Sequence, residues 1–326
     1  MKICFLNNDL RDDTGAGRFC LNLIANLKKA DPSVEIKVLT AFGSGHSWEE
    51  ALIPAGKFGM ILALPKIRGV LRNFDIIHAL DGYPYGVIAV LASLGLGKKV
   101  VITAIGTGAI QPLYRWYGFL LGWAYRRADR VVAISRYTRR EILRKNPGLR
   151  VEVINHAVNA DELGGDIWAG VRDGDKFRIQ SSKPYLLSVG APKERKGFKY
   201  SLAAFKKVVE RFRDLKYLIV GAGKVYLARD VAELGLENRV FLMGKIPRSL
   251  LLAVYRNAEL FMLLPYDAGK DIEGFGFVFL EAAAAGLPVI GTYESGAEDA
   301  VWNGRNGFLI KPKDADAAAE AALKVL

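Results

Sequence analysis

Soft metal ligands and thiols are scarce in this 326-residue chain: Cys4 and Cys20 are its only cysteines, and His46, His78 and His156 its only histidines. So few, so scattered, they exclude a disulfide framework and a clustered zinc site, and a reducing cytoplasm fits. Long hydrophobic runs are missing too. The stretch GYPYGVIAVLASLGLG contains Pro84 and several glycines and is too short for a transmembrane span. The start, MKICFLNNDLRDD, turns acidic before a signal-peptide core can form, so neither a leader nor a membrane span is expected. No low-complexity tract or repeat period appears, and 51% hydrophobic with 25% charged residues is the balance of a folded soluble protein.

Acidic residues are the minority among the charges, and the net charge of +12 favours anionic partners: nucleotide phosphates, nucleic acid or an anionic lipid surface. The excess is concentrated between Arg115 and Arg150, where Arg126, Arg127, Arg130, Arg136, Arg139, Arg140, Arg144 and Lys145 meet only Asp129 and Glu141. No nucleic-acid reader motif accompanies it, and no nucleic-acid partner is expected.

A chain of this length exceeds the size at which one core keeps growing, so two domains are expected. Short β-branched runs alternate with helical patterns. KICFLNN, EIKVLT, FDIIHA, KKVVITA, RVVAIS and VEVI come first; PYLLSVG, KYLIVG, RVFLMG, ELFMLL, PVIGT and GFLI follow. Alternation of this kind reads as α/β, two Rossmann-like doubly wound parallel sheets. Between the halves lies DELGGDIWAGVRDGDKF, with four glycines. The expected division is an N-terminal domain over 1–172, a linker over 173–183 and a C-terminal domain over 184–326, with the site in the cleft between the domains.

In EGFGFVFLEAAAAGLPVIG, Glu273 and Glu281 flank an uncharged glycine and phenylalanine run. A helix beginning near Gly274 and ended by Gly286 and Pro288 places the two carboxylates about 12 Å apart along its axis, on roughly one side. That span suits a ligand with two hydroxylated ends joined by a diphosphate. The amides of Gly274, Phe275, Gly276 and Phe277 then form an anion-binding helix start. The plainer alternative makes Glu273 a cap and Glu281 a solvated helix residue.

A second loop, SVGAPKERKGFKY, places Lys193, Arg195 and Lys196 among Gly190 and Gly197 at the same carboxyl edge, as cations for a phosphate or merely as solvated charges. After the first strand, NNDLRDDTGAGRF offers Gly15 and Gly17 for close backbone approach. Neither it nor VGAGKVY completes the dinucleotide fingerprint, and either is equally a tight strand-to-helix turn. The triplets Asp173-Gly-Asp175 and Asp314-Ala-Asp316 follow no apolar strand; the second reads as a helix cap, so no metal is expected.

These residues resemble the retaining glycosyltransferases of family 4, of the two-domain GT-B fold, along nearly the whole chain. The resemblance rests on the glycine loop after strand one, DIIHAL, ADRVVAISRYT, VINHAVN, SVGAPKERKGF, RVFLMGKI and EGFGFVFLEAAAAGLPVIGT followed by GAEDAVWNGRNGFLI. It implies that Glu273 contacts donor-sugar hydroxyls at the reaction centre and Glu281 the nucleotide ribose. The 274–277 amides would hold sugar and diphosphate, Lys196 the leaving phosphate, Gly17 the diphosphate from the other domain, and the loop Gly244 to Ile246 the base. Two positions depart from the family: Ala191 stands where an arginine is usual, with Arg195 or Lys193 as substitutes, and Ile105 stands in TAIGTG where many members carry histidine, leaving Thr107 as the nearest polar residue on the acceptor side.

The resulting expectation is a retaining, metal-independent hexosyltransferase, needing no cofactor beyond a UDP- or GDP-linked sugar and acting on a glycan, lipid-linked or small-molecule hydroxyl. The alternatives are a nucleotide-sugar-binding protein without turnover and a dinucleotide-dependent oxidoreductase. The segment LYRWYGFLLGWAYRRADR reads either as a peripheral contact with an anionic membrane, on its cytoplasmic inner face, or as a core helix with a solvated basic rim. The last helix, DADAAAEAALKVL, is followed by none of the further helix that the family generally adds, an expectation of a truncated or short chain.

Overall fold

The computed structural model describes residues 1–326 except 13, 55, 160–171, 173, 175–182, 222 and 223. The chain divides into two compact units, Met1–Asn155 and His156–Leu326. The first unit thus ends earlier than position 172: His156 packs edge-on against Phe275 and Phe277, with ring centroids 5.2 and 5.8 Å away, and so joins the second. The expected linker 173–183 and the triplet Asp173-Gly-Asp175 lie largely outside the described residues.

The first unit holds a seven-stranded parallel sheet in the order β3-β2-β1-β4-β5-β6-β7. Its strands are β1 Lys2–Asn7, β2 Glu35–Thr40, β3 Glu49–Ala51, β4 Ile76–Leu80, β5 Lys99–Ala104, β6 Arg130–Ala133 and β7 Val151–Val153. The helices are α1 Gly15–Ala30, α2 Lys57–Leu71, α3 Val87–Ser93, the single turn α4 Thr107–Ile110, α5 Gly118–Arg127 and α6 Arg136–Lys145. Near-continuous apolar strands such as β1, buried from Ile3 through Asn7, are what a sheet covered on both faces requires. Ile3 and Phe5 meet Cys20 and Ile24 of α1 in the core. That helix begins where Thr14 accepts from the Gly17 amide at 3.0 Å and ends on Lys28 and Lys29, which complement its dipole.

The second unit is a six-stranded parallel sheet, β10-β9-β8-β11-β12-β13. Its strands are β8 Tyr185–Val189, β9 Lys216–Val220, β10 Val240–Met243, β11 Leu260–Met262, β12 Val289–Thr292 and β13 Gly307–Ile310. Its described helices are α7 Phe198–Arg211, α8 Lys224–Glu233, α9 Arg248–Asn257, α10 Phe277–Ala284 and α11 Ala315–Val325. Phe279 of α10 is fully buried against Phe261 of β11, centroids 5.3 Å apart. Burying such a ring contributes roughly 2–3 kcal/mol and fixes α10 on the sheet. Asp314 caps α11 by accepting from the Ala317 amide at 2.9 Å, while Asp316 pairs with Lys207.

Both orders reverse direction beside the first strand of the unit, between β1 and β4 and between β8 and β11. The crossover connections leaving neighbouring strands at such a switch point run to opposite faces of the sheet and leave a crevice at its carboxyl edge.

Candidate functional site

Strands β8 and β11 are paired at the switch point of the second unit, with Leu186 opposite Leu260, so the loops that follow them emerge side by side. The first carries Arg195 and Lys196, the second Glu273. Lys196 Nζ lies 2.6 Å from a Glu273 carboxylate oxygen, and Arg195 pairs with the same carboxylate and, through Nε, with Asp271 at 3.0 Å. Glu273 and Lys196 are both buried, at 8% and 7% exposure. Burial alone would raise the Glu273 pKa; Arg195 and Lys196 outweigh it and hold the carboxyl down at about 2. Burial dominates at Lys196, whose ammonium is pushed below its ordinary range despite Glu273.

Two glycines make this approach possible. Gly197 has φ 67°, and a Cβ there would overlap the Leu264 carbonyl oxygen. Only glycine therefore lets the Lys196 loop lie against the end of β11. Gly276 has φ 76°, and a Cβ there would come within 2.6 Å of the Phe279 ring.

The helix α10 starts at Phe277, three residues beyond the expected Gly274, because Gly276 is left-handed and stops helical geometry ahead of it. Gly274, Phe275 and Gly276 are accordingly loop, and the helix-start amides belong to Phe277 onward. The helical rise applies only from there, so the estimate of 12 Å between the carboxylates does not hold as derived. The loop is pinned by the Gly296 amide, which donates to the Glu273 carbonyl at 2.8 Å.

Glu281, at 1% exposure, is not a solvated residue. Arg248 Nη1 donates to one of its oxygens at 2.5 Å and the Tyr255 hydroxyl to the other at 3.0 Å. Both partners come from α9, seven residues apart on one face. Gly244 and Ile246 lie between β10 and α9, with Gly244 exposed and its carbonyl accepting from the Gly221 amide at 3.2 Å. Ala191 is exposed, and Arg195 rather than Lys193 reaches Glu273.

In the first unit, Gly15 has open space around its Cα, while a Cβ on Gly17 would overlap the Arg11 backbone. Close packing of its own loop therefore already requires glycine at 17. Buried Asp9 organises that loop: it accepts from the Arg11 amide at 3.0 Å and the Thr14 hydroxyl at 2.7 Å. Thr107 opens the turn α4 and is partly buried. Along 113–130, Leu121, Ala124 and Tyr125 are buried, whereas Trp116 and Phe119 are 85% and 65% exposed.

Sequence reasoning missed Arg248, Tyr255, Asp9, His156 and Asp81, the residue after β4 whose carboxylate accepts from the Gly82 amide at 2.7 Å. A legible sign existed for the first two, a cation and a tyrosine two turns apart on the helix that follows the loop Gly244 to Ile246. His156 gains its setting only from Phe275 and Phe277, distant in the chain, whereas Asp9 is held within its own loop by Arg11 and Thr14.

The family model for glycosyltransferase family 4 matches residues 14–162, and that for glycosyl transferases group 1 matches 172–326. The chain is 28% identical over 280 residues to the GDP-mannose-dependent alpha-(1-6)-phosphatidylinositol monomannoside mannosyltransferase of Mycolicibacterium smegmatis, covering 80% of this chain and 71% of that one. It is also 28% identical over 268 residues to the N-acetyl-alpha-D-glucosaminyl L-malate synthase of Bacillus anthracis, covering 78% and 66%. Among solved structures, Anabaena HepE in complex with UDP-glucose superposes with a TM-score of 0.76 at 21% identity, over 99% of this chain and 89% of that one. With family models matched on both halves and two doubly wound sheets of the same construction, the chain belongs to glycosyltransferase family 4 and has the GT-B fold.

Proposed function

We propose that this glycosyltransferase moves a hexose from a UDP- or GDP-linked sugar to a hydroxyl acceptor with retention of configuration and without a metal ion. The observation that carries the reading is the buried cluster of Lys196, Arg195 and Glu273 at the switch point between β8 and β11. A diphosphate entering there meets two cations already desolvated and positioned, so the positive potential where leaving-group charge develops comes from side chains. Glu273, ionised at neutral pH, accepts hydrogen bonds from sugar hydroxyls, and Glu281 from the ribose. The relatives' names support both donor bases.

In the transfer step the acceptor oxygen bonds to the anomeric carbon as the bond from that carbon to the diphosphate oxygen breaks. The acceptor's proton passes to the departing diphosphate on the same face of the sugar. The acceptor is a glycan, lipid-linked or small-molecule hydroxyl. Exposed Trp116 and Phe119, set among the cations from Arg115 to Arg130, support a peripheral contact with an anionic membrane on its cytoplasmic face.

Titrating tryptophan fluorescence with UDP, GDP, ADP and NAD, then assaying hydrolysis of the matching nucleotide sugar, tests the reading. Saturable binding of UDP or GDP with slow donor hydrolysis is expected. Binding of NAD alone would replace the transferase reading with an oxidoreductase, and binding without hydrolysis or transfer would replace it with a carrier.

A further inference from the structure

The loop Glu273 to Gly276 presents the Glu273 carboxylate to Lys196 and Arg195 but belongs to no strand or helix, so contacts from elsewhere hold its shape. Gly296 supplies one of them. Its amide donates to the Glu273 carbonyl, and a Cβ on it would overlap the Gly274 carbonyl, so the loop lies directly against that glycine. His156, the first residue of the second unit, supplies another. Its ring stands edge-on to Phe275, with centroids 5.2 Å apart and planes at 83°, and to Phe277, at 5.8 Å and 89°. These two phenylalanines flank Gly276, whose φ of 76° makes the turn into α10. Burial pushes the His156 pKa down to about 4, so at neutral pH the imidazole is uncharged and packs as an aromatic ring. A histidine among aromatic rings is ordinarily core filling; here the rings it meets are the two that bracket the left-handed glycine.

We propose that His156 is a positioning residue for the transfer step: by bridging Phe275 and Phe277 it fixes the turn at Gly276, and with it the Glu273 carboxylate and the amides that open α10. This rests on the transferase reading above. Without the bridge both phenylalanines regain side-chain freedom, and Gly276, with no Cβ to restrict it, has the widest range of backbone angles to relax into. Donors that are no longer held in place must reorganise as charge develops on the leaving diphosphate, so the loss falls on the transition state. The nucleoside end is insulated from it, because Glu281 keeps its partners Arg248 and Tyr255 on α9.

His156→Ala and His156→Phe in the full chain test this by two independent measurements. Hydrogen exchange followed by mass spectrometry over residues 272–280 is expected to quicken about tenfold in His156→Ala and to stay at the parent's level in His156→Phe, which keeps an aromatic edge. Single-turnover hydrolysis of the UDP- or GDP-linked sugar is expected to slow by about 10- to 100-fold in the alanine variant and to recover to within about threefold in the phenylalanine variant. The Kd for UDP or GDP should change by less than about threefold in both. Unchanged exchange or an unchanged rate in His156→Ala overturns the proposal. So does faster exchange throughout the second unit, or a loss of nucleotide affinity equal to the loss of rate, since either marks a merely structural contact. Equal slowing in both variants overturns it too, by moving the role from the packing of the ring to its nitrogens. A parent that binds neither UDP nor GDP defeats the transferase reading itself, and this is told apart because the exchange measurement needs no substrate.

Discussion

Lys196 and Glu273 illustrate how much one buried contact decides. The lysine neutralises the carboxylate and, in the proposed reaction, the leaving phosphate, so Lys196→Ala is expected to lower kcat by about 10²- to 10³-fold, measured in single-turnover transfer. Full transferase rate in that variant would remove the cluster from the mechanism. Glu281→Gln should weaken nucleotide binding about tenfold by calorimetry, about 1.4 kcal/mol, with Arg248 left without its full counter-charge. Glu273→Gln should chiefly slow transfer. The two carboxyls with opposite shifts also give opposite pH dependences. Glu273, held at about 2, contributes stability that is present above its ordinary range and lost as pH falls through 2. Asp81, held at about 7, does the reverse: the folded state keeps its proton longer than the unfolded chain, so stability declines as pH rises from about 4 to 7. The Tm of Asp81→Asn relative to the parent should therefore be higher at pH 8 than at pH 4.5, and an equal difference at both would show that Asp81 is not desolvated.

At the scale of elements, the loops are placed by glycines whose conformations no other residue adopts cheaply. Gly197→Ala should destabilise the second unit by at least about 1–3 kcal/mol in urea unfolding and slow transfer, since the Lys196 loop must lift from β11. An unchanged midpoint would mean that the loop accommodates the methyl group elsewhere. Most strands were legible because their apolar runs are short and β-branched, and all six of the second sheet lie where the runs fall. Strand β3 was not, since Glu49–Ala51 is three residues long and partly charged. Helix α2 escaped too: it is apolar nearly all round, with Phe58, Ile61 and Leu62 exposed, and Pro65 inside it reads as a break. The start of α10 was misplaced because a glycine at 274 or 276 reads equally as a first turn or a stop, and left-handed Gly276 chooses the stop.

For the whole molecule, the charge of +12 is a long-range property that sequence alone supplies. Retention on anionic vesicles at low salt, lost on raising salt to about 1 M where the Debye length falls to about 3 Å, is the expected outcome of co-sedimentation. Retention that persists in high salt would instead assign the contact to Trp116 and Phe119. No helix among the described residues is long and apolar enough to cross a membrane. What the sequence determined by itself was the alternation of strand and helix, the scarcity of metal ligands, and the residue types at the carboxyl edges, because these depend on local periodicity and composition. Tertiary structure alone decided that Glu273 meets Lys196 and Arg195, that Glu281 is buried against Arg248 and Tyr255, and that Asp81 takes the Ile105 amide from the neighbouring strand's loop. Those pairings join residues from separate loops, and strand order at the switch points, which no local pattern encodes, sets which loops are neighbours.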